Sequence, residues 1–217
     1  EVTMIRSFKP VLITLLFAMV CVSAWADELE DEIVRLQHAW AYGQYQLAES
    51  QRDGYFESLR AQAEAVTKRF SGRAEPLIWE GIITATLAKY QSLFKAGSTA
   101  KAARDALLAA ERIDPEALEG SALVSLGSLY YKVPRFGSFG DYDKARSYLQ
   151  RALKINPDGI DANFFYGEFL YETGQTEQAI IHLKKALAAP PRPGREDADA
   201  GRREEIRALL KKIGIQG

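Results

Sequence analysis

The sequence predicts an all-α fold: an α-α superhelix of stacked helix hairpins with a C-terminal capping helix. Three observations carry this. The spacing Ala-x3-Leu-x2-Ala-x4-Pro recurs, at Ala103, Leu107, Ala110 and Pro115, at Ala145, Leu149, Ala152 and Pro157, and at Ala179, Leu183, Ala186 and Pro191. Each copy follows an apolar segment with an internal glycine, Gly81, Gly127 or Gly167. The flanking segments carry apolar stripes at helical spacing.

Taken in order, residues 1–26 read as an export leader. Arg6 and Lys9 precede the apolar run Val11–Val22, and Ala24-Trp25-Ala26 is a small-x-small cleavage site. The run is too short to span a bilayer as a helix. The residues before Cys21, Ala18-Met19-Val20, lack the Leu-like and small positions of a lipidated cysteine. A periplasmic or secreted chain is therefore expected, with membrane attachment only if the leader is retained or Cys21 is lipidated. Residues 27–73 form a helical pair, with stripes at Leu29, Ile33, Leu36 and Trp40 and at Phe56, Leu59, Ala63 and Val66. The pair reads as a degenerate repeat that caps the array.

Repeat units follow at 74–115, 120–157 and 160–191. Within each, Ala, Leu and Ala share one helix face, the alanines admit a close neighbour, and the proline ends the helix. Glycine inside a helix costs ~1 kcal/mol relative to alanine. Its recurrence predicts a helix crossing with no room for a Cβ. The first unit carries extra residues around Ala88 to Gly97, and the second has an extra stretch around Val133 to Ser138. Residues 192–217 comprise a Pro/Gly linker and a capping helix. That helix has Ile206, Leu209, Leu210 and Ile213 on one face and a solvated outer face that includes Arg202, Arg203, Glu204 and Glu205.

These units resemble the tetratricopeptide repeat. The third carries Tyr166-Gly167, Leu170, Gly174, Ala179, Leu183, Ala186 and Pro191 of that pattern. The second carries Leu126-Gly127, Tyr130, Gly140, Tyr142, Ala145, Leu149, Ala152 and Pro157, and the first only Gly81, Ala103, Leu107, Ala110 and Pro115. The resemblance implies that the first helix of each pair lines a concave surface. By the glycine register that surface is Ile78 and Ile82, then Val124, Ser128, Tyr131 and Lys132, then Phe164, Glu168, Tyr171 and Glu172. It implies a scaffold that binds a protein or peptide partner and performs no chemistry. The chain is also loosely similar to the helical T-component of tripartite (TRAP) periplasmic transporters, which implies an apolar or lipid-like ligand held in a pore. A closed cavity with aromatic walls fits the second reading; an open groove with Tyr131 and Tyr171 exposed fits the first.

Other chemistry finds little support. His38 and His182 stand alone, without a partner at metal-ligand spacing, so neither metal nor cofactor is expected. A formal net charge of -1 gives no electrostatic case for nucleic acid. Arg202-Arg203 beside Glu204-Glu205 reads as a solvated face, and Pro190-Pro191-Arg192-Pro193 as a helix stop with a stiff linker. The loop with Pro134, Arg135, Phe136 and Phe139 sets aromatics beside a cation, which suits a peptide or flat ligand. Alternatively, Phe136 and Phe139 fold back to seal the longer helix pair.

Overall fold

A computed structural model describes residues 11–215, with side chains from residue 26 onward. The leader and Cys21 expectations rest on residues 1–10 and on side chains up to Trp25, and so lie outside the described residues. The element order is α1 (Val11–Ala41), a π-helical turn (Tyr42–Gln46), α2 (Glu49–Arg69), α3 (Ala74–Tyr90), α4 (Leu93–Ile113), α5 (Ala117–Lys132), α6 (Tyr142–Ile155), α7 (Ile160–Glu172), α8 (Thr176–Leu187) and α9 (Glu196–Lys212). There is no strand among the described residues, and the fold is an all-α helical-repeat superhelix.

Consecutive helices pack as hairpins, α3 on α4, α5 on α6 and α7 on α8, and each hairpin packs on the next. The first helices α1, α3, α5 and α7 also touch one another in sequence, which forms an inner layer. The recurrent glycines mark the crossings. A Cβ on Gly81 would lie 2.5 Å from Leu107 Cγ, one on Gly127 2.6 Å from Leu149 Cγ, and one on Gly167 2.9 Å from Leu183 Cγ. Leu107, Leu149 and Leu183 are fully buried, as are the alanines of the same stripes. Each glycine thus lets the central leucine of its partner helix press against bare backbone, which accounts for the repeated spacing.

The extra residues of the first unit form no loop. They lengthen α3 and α4 instead, leaving Leu93 and Phe94 at the start of α4 94% and 99% exposed. In the second unit the extra stretch is a loop between α5 and α6, and it ends where the Asp141 carboxylate caps α6 by accepting bonds from the backbone N–H groups of Asp143 and Lys144, both 3.0 Å. The chain enters α5 through three left-handed residues, Leu118 (φ 48°), Glu119 (φ 57°) and Gly120 (φ 76°). Ser121 Oγ donates to Leu118 O at 2.5 Å and Asn156 Nδ2 donates to Glu119 at 2.6 Å, which pins this turn.

The expected solvated outer face of the last helix needs correction at Arg202, which is buried. α9 contacts α8 and α7, but also α1 and the π-helical turn at the other end of the chain. Ala198 joins the core around Leu36, Trp40 and Trp79, while Ile206 and Leu210 join the core around Phe164 and Leu183. α9 is therefore a bar across the inner helix layer that links α1 and the π-helical turn to the α7–α8 hairpin.

Candidate functional site

The bar encloses space. Between α9 and the inner helix layer lies a half-enclosed chamber of about 1010 Å³. Its apolar walls include Trp40 from α1, Trp79 and Ile82 from α3, Val124 from α5, and Phe164 and Phe165 from α7. The Trp40 and Trp79 rings meet edge to face with centroids 6.2 Å apart, and Trp40 Nε1 donates to Thr86 Oγ1 at 2.9 Å. The π-helical turn directs Gln44 and Tyr45 to α9, where Gln44 Nε2 and Tyr45 Oη each donate to Glu205 at 3.3 Å. Gly201 permits this closure, because a Cβ there would collide with the Tyr45 ring.

One wall is charged. Arg202 lies against the Phe164 and Phe165 rings, 4.6 and 4.7 Å from their centroids, and pairs with Asp161 at 2.8 Å and with Glu205. Asp161 also accepts from Arg192 at 2.8 Å, and Arg192 pairs with the buried Asp199 at 2.6 Å. Burial alone would raise the Asp161 carboxyl, but the Arg202 and Arg192 guanidinia outweigh it and hold the group well below the usual carboxylate range. Burial, reinforced by Glu205, pushes the Tyr45 phenol up, so it stays a neutral donor.

Arg195 differs from its neighbours. It lines the chamber 5.3 Å from the Trp79 ring centroid, its Nε is buried without a hydrogen-bond partner, and Trp79 Nε1 is likewise unpartnered. Burial and the Arg192 charge lower the Arg195 pKa. Both donor atoms are sealed from solvent as well as unpartnered, and Arg195 has no acid within ion-pair distance among the described residues.

Ile82, Val124, Ser128, Lys132, Phe164 and Glu168 of the expected concave surface line the chamber. Of the other four expected positions, two are buried and two lie outside the chamber lining. Ile78 is fully buried in the core beneath α4. Tyr131 is buried against Phe169, with ring centroids 5.6 Å apart, and its hydroxyl donates to Glu168. Tyr171 is half-buried with Lys212 Nζ 5.2 Å from its ring centroid, and the exposed Glu172 lies at the end of α7; neither lines the chamber. The α5–α6 loop divides as well. Pro134 and Phe136 border the chamber and Phe136 is 99% exposed, whereas Phe139 folds back onto Tyr130 at 5.7 Å with Arg104 4.6 Å over its ring, and Arg135 lies over Tyr142 at 4.9 Å.

The repeat register could not find Trp40, Tyr45, Trp79, Asp161, Arg192, Arg195 or Arg202, most of which lie outside it. Gly201 was the available signal, a glycine inside a helix, but one without the recurrence that marks Gly81, and Gly54 and Gly97 also lie in helices with nothing within 4 Å of a Cβ. His182 Nδ1 lies 3.0 Å from Asn163 Oδ1, and the buried Asn163 in turn donates to Pro157 O and Gly159 O, so this histidine orders the α6–α7 turn. Among the described residues no group of three or more His, Cys, Asp or Glu side chains could hold a metal ion.

Residues 138–196 match the tetratricopeptide-repeat family model. A crystal structure of a thermophilic tetratricopeptide-repeat protein from Thermus thermophilus is similar, with a TM-score of 0.58 at 16% identity, over 75% of this chain and 75% of that one. No curated protein matches the chain. At that identity the structural likeness is one of fold. The fold is in general that of protein–protein interaction modules and of non-enzymatic scaffolds.

Proposed function

We propose that this tetratricopeptide-repeat chain is a non-catalytic binding protein whose site is the chamber beneath α9. Its ligand is a small elongated molecule with an apolar body and one acceptor or anionic group. The observation that carries this reading is the closure by α9. A chamber of about 1010 Å³ is the size of a small-molecule site, whereas an open groove for a folded partner would need the concave side free. The aromatic walls suit an apolar body, and the Arg195 side chain on the chamber wall supplies a cation for its polar end. The looser resemblance to the T-component of tripartite transporters implies the same ligand class. The scaffold reading retains the outer surface and the α5–α6 loop with its exposed Phe136. On the strength of the leader pattern, we assign the mature chain to the periplasm or the exterior.

The test combines native mass spectrometry of the purified chain with titration by a fluorescent long-chain carboxylate. A retained small molecule and saturable uptake are expected. Ala85→Trp, which adds an indole to the chamber wall, should abolish uptake and leave the far-UV circular dichroism unchanged. Equal uptake by Ala85→Trp, or none by the parent chain, would overturn the reading.

A further inference from the structure

Leu93, Phe94 and Phe136 project into water with 94%, 99% and 99% of their surface exposed. Leu93 and Phe136 both border the chamber, although one opens α4 and the other sits in the α5–α6 loop. With Phe94, the neighbour of Leu93 on α4, they form an exposed apolar rim at the edge of that chamber. The surrounding sequence is one-sided in charge. Residues 81–104 contain Lys89, Lys95, Lys101 and Arg104 and no acid, and residues 120–140 contain Lys132 and Arg135 and no acid. Asp105 neutralises Arg104 at 2.8 Å and Glu168 neutralises Lys132 at 2.8 Å, which leaves Lys89, Lys95, Lys101 and Arg135 as exposed cations with no acidic partner among the described residues.

We propose that this rim is a contact surface for an anionic lipid bilayer. Leu93, Phe94 and Phe136 enter the boundary between headgroups and acyl chains, and Lys95, Lys101 and Arg135 meet the lipid phosphates. Apolar side chains flanked by cations are the chemistry of interfacial binding. The exposed cations without an acidic partner match anionic headgroups, and a fluid phase can seat apolar side chains carried on two separate elements. No helix among the described residues is long and apolar enough to cross a membrane. The surface stands independently of what the chamber holds, although it would turn that edge of the chamber toward the phase in which an apolar ligand dissolves.

The test is co-sedimentation of the full chain with vesicles of phosphatidylglycerol and phosphatidylcholine, and with vesicles of phosphatidylcholine alone. Binding to the anionic vesicles is expected, weakening as salt shortens the screening length below about 8 Å. The triple variant Leu93→Ser, Phe94→Ser, Phe136→Ser should bind at least tenfold more weakly. Lys95→Gln with Lys101→Gln should cost about fivefold per charge. All of these positions are exposed, so circular dichroism should not change. The Ala85→Trp chain should bind vesicles as the parent does, which separates this result from the fate of the ligand reading. Undiminished binding by the triple variant, or equal binding to phosphatidylcholine alone, would overturn the proposal. Absence of binding by the parent would also overturn it and leave the rim to an acidic protein partner.

Discussion

Gly81→Ala and Gly54→Ala exchange the same hydrogen for the same methyl, yet only Gly54→Ala should stabilise the fold. Both glycines lie inside helices, α3 and α2, where alanine is favoured by ~1 kcal/mol. Around Gly54 a Cβ would meet nothing within 4 Å, so the full gain should appear. At Gly81 the new atom would sit 2.5 Å from Leu107 Cγ, 2.7 Å from its Cδ2 and 3.2 Å from the Ala103 carbonyl oxygen. The nearest atom is the branch carbon of a fully buried leucine, which cannot swing away into solvent. Overpacking of this kind costs ~1–3 kcal/mol, so the net effect should range from about zero to a loss of ~2 kcal/mol. Gly127→Ala should behave alike at 2.6 Å, and Gly167→Ala, at 2.9 Å, should be the mildest of the three. Urea titration followed by far-UV circular dichroism measures the series. In thermal melts each kcal/mol corresponds to about 2–4 °C for a chain of this size. If Gly81→Ala stabilises as much as Gly54→Ala, the helices do not cross at that glycine and the explanation of the repeat spacing fails.

Two further outcomes are expected. Asp161→Asn removes the carboxylate shared by Arg192 and Arg202 and should destabilise by ~1–2 kcal/mol, less than a fully buried pair because Asp161 is part-exposed and both arginines keep a second acid. Because the folded carboxyl is held below its unfolded value, its contribution is present above about pH 4 and lost as pH falls further. Asp161→Asn should therefore flatten the acid limb of a stability–pH curve, and an unchanged limb would show that the pair does not form. Mass spectrometry of the exported chain should find Asp27 as the first residue; a lipid-modified Cys21 would contradict release.

The hairpins were readable in the sequence because their determinants are local. An alanine–leucine–alanine stripe and a glycine facing it suffice to specify one crossing, and three copies specify a repeat. The chamber was not readable, because it depends on curvature summed over the whole array. That summation brings Gln44 to Glu205, 161 residues apart. Arg202 illustrates the difficulty. Beside Glu204 and Glu205 its charge reads as cancelled locally, yet its partner Asp161 lies 41 residues upstream and its stacking partners lie on α7. The concave surface was partly legible. Stepping from each glycine finds Ile82, Val124 and Phe164, but the same step sends Ile78 into the core and Tyr131 against Phe169, because each inner helix is gripped from several sides.

The bar formed by α9 also alters how the molecule comes apart. An open array of stacked hairpins frays from its ends, and its terminal units exchange backbone protons well before its centre. Here Tyr45 and Gln44 near one end are tied to Glu205 near the other, and Ala198 is packed into the first hairpin's core. Neither end can open without breaking the same seam. Amide exchange should then be slow at both termini of the described fold as well as at its centre, and unfolding should approach a single cooperative step. A molecule held beneath the bar would stabilise that seam, so its occupancy would register as slowed exchange in α1 and α9 together, at opposite ends of the chain.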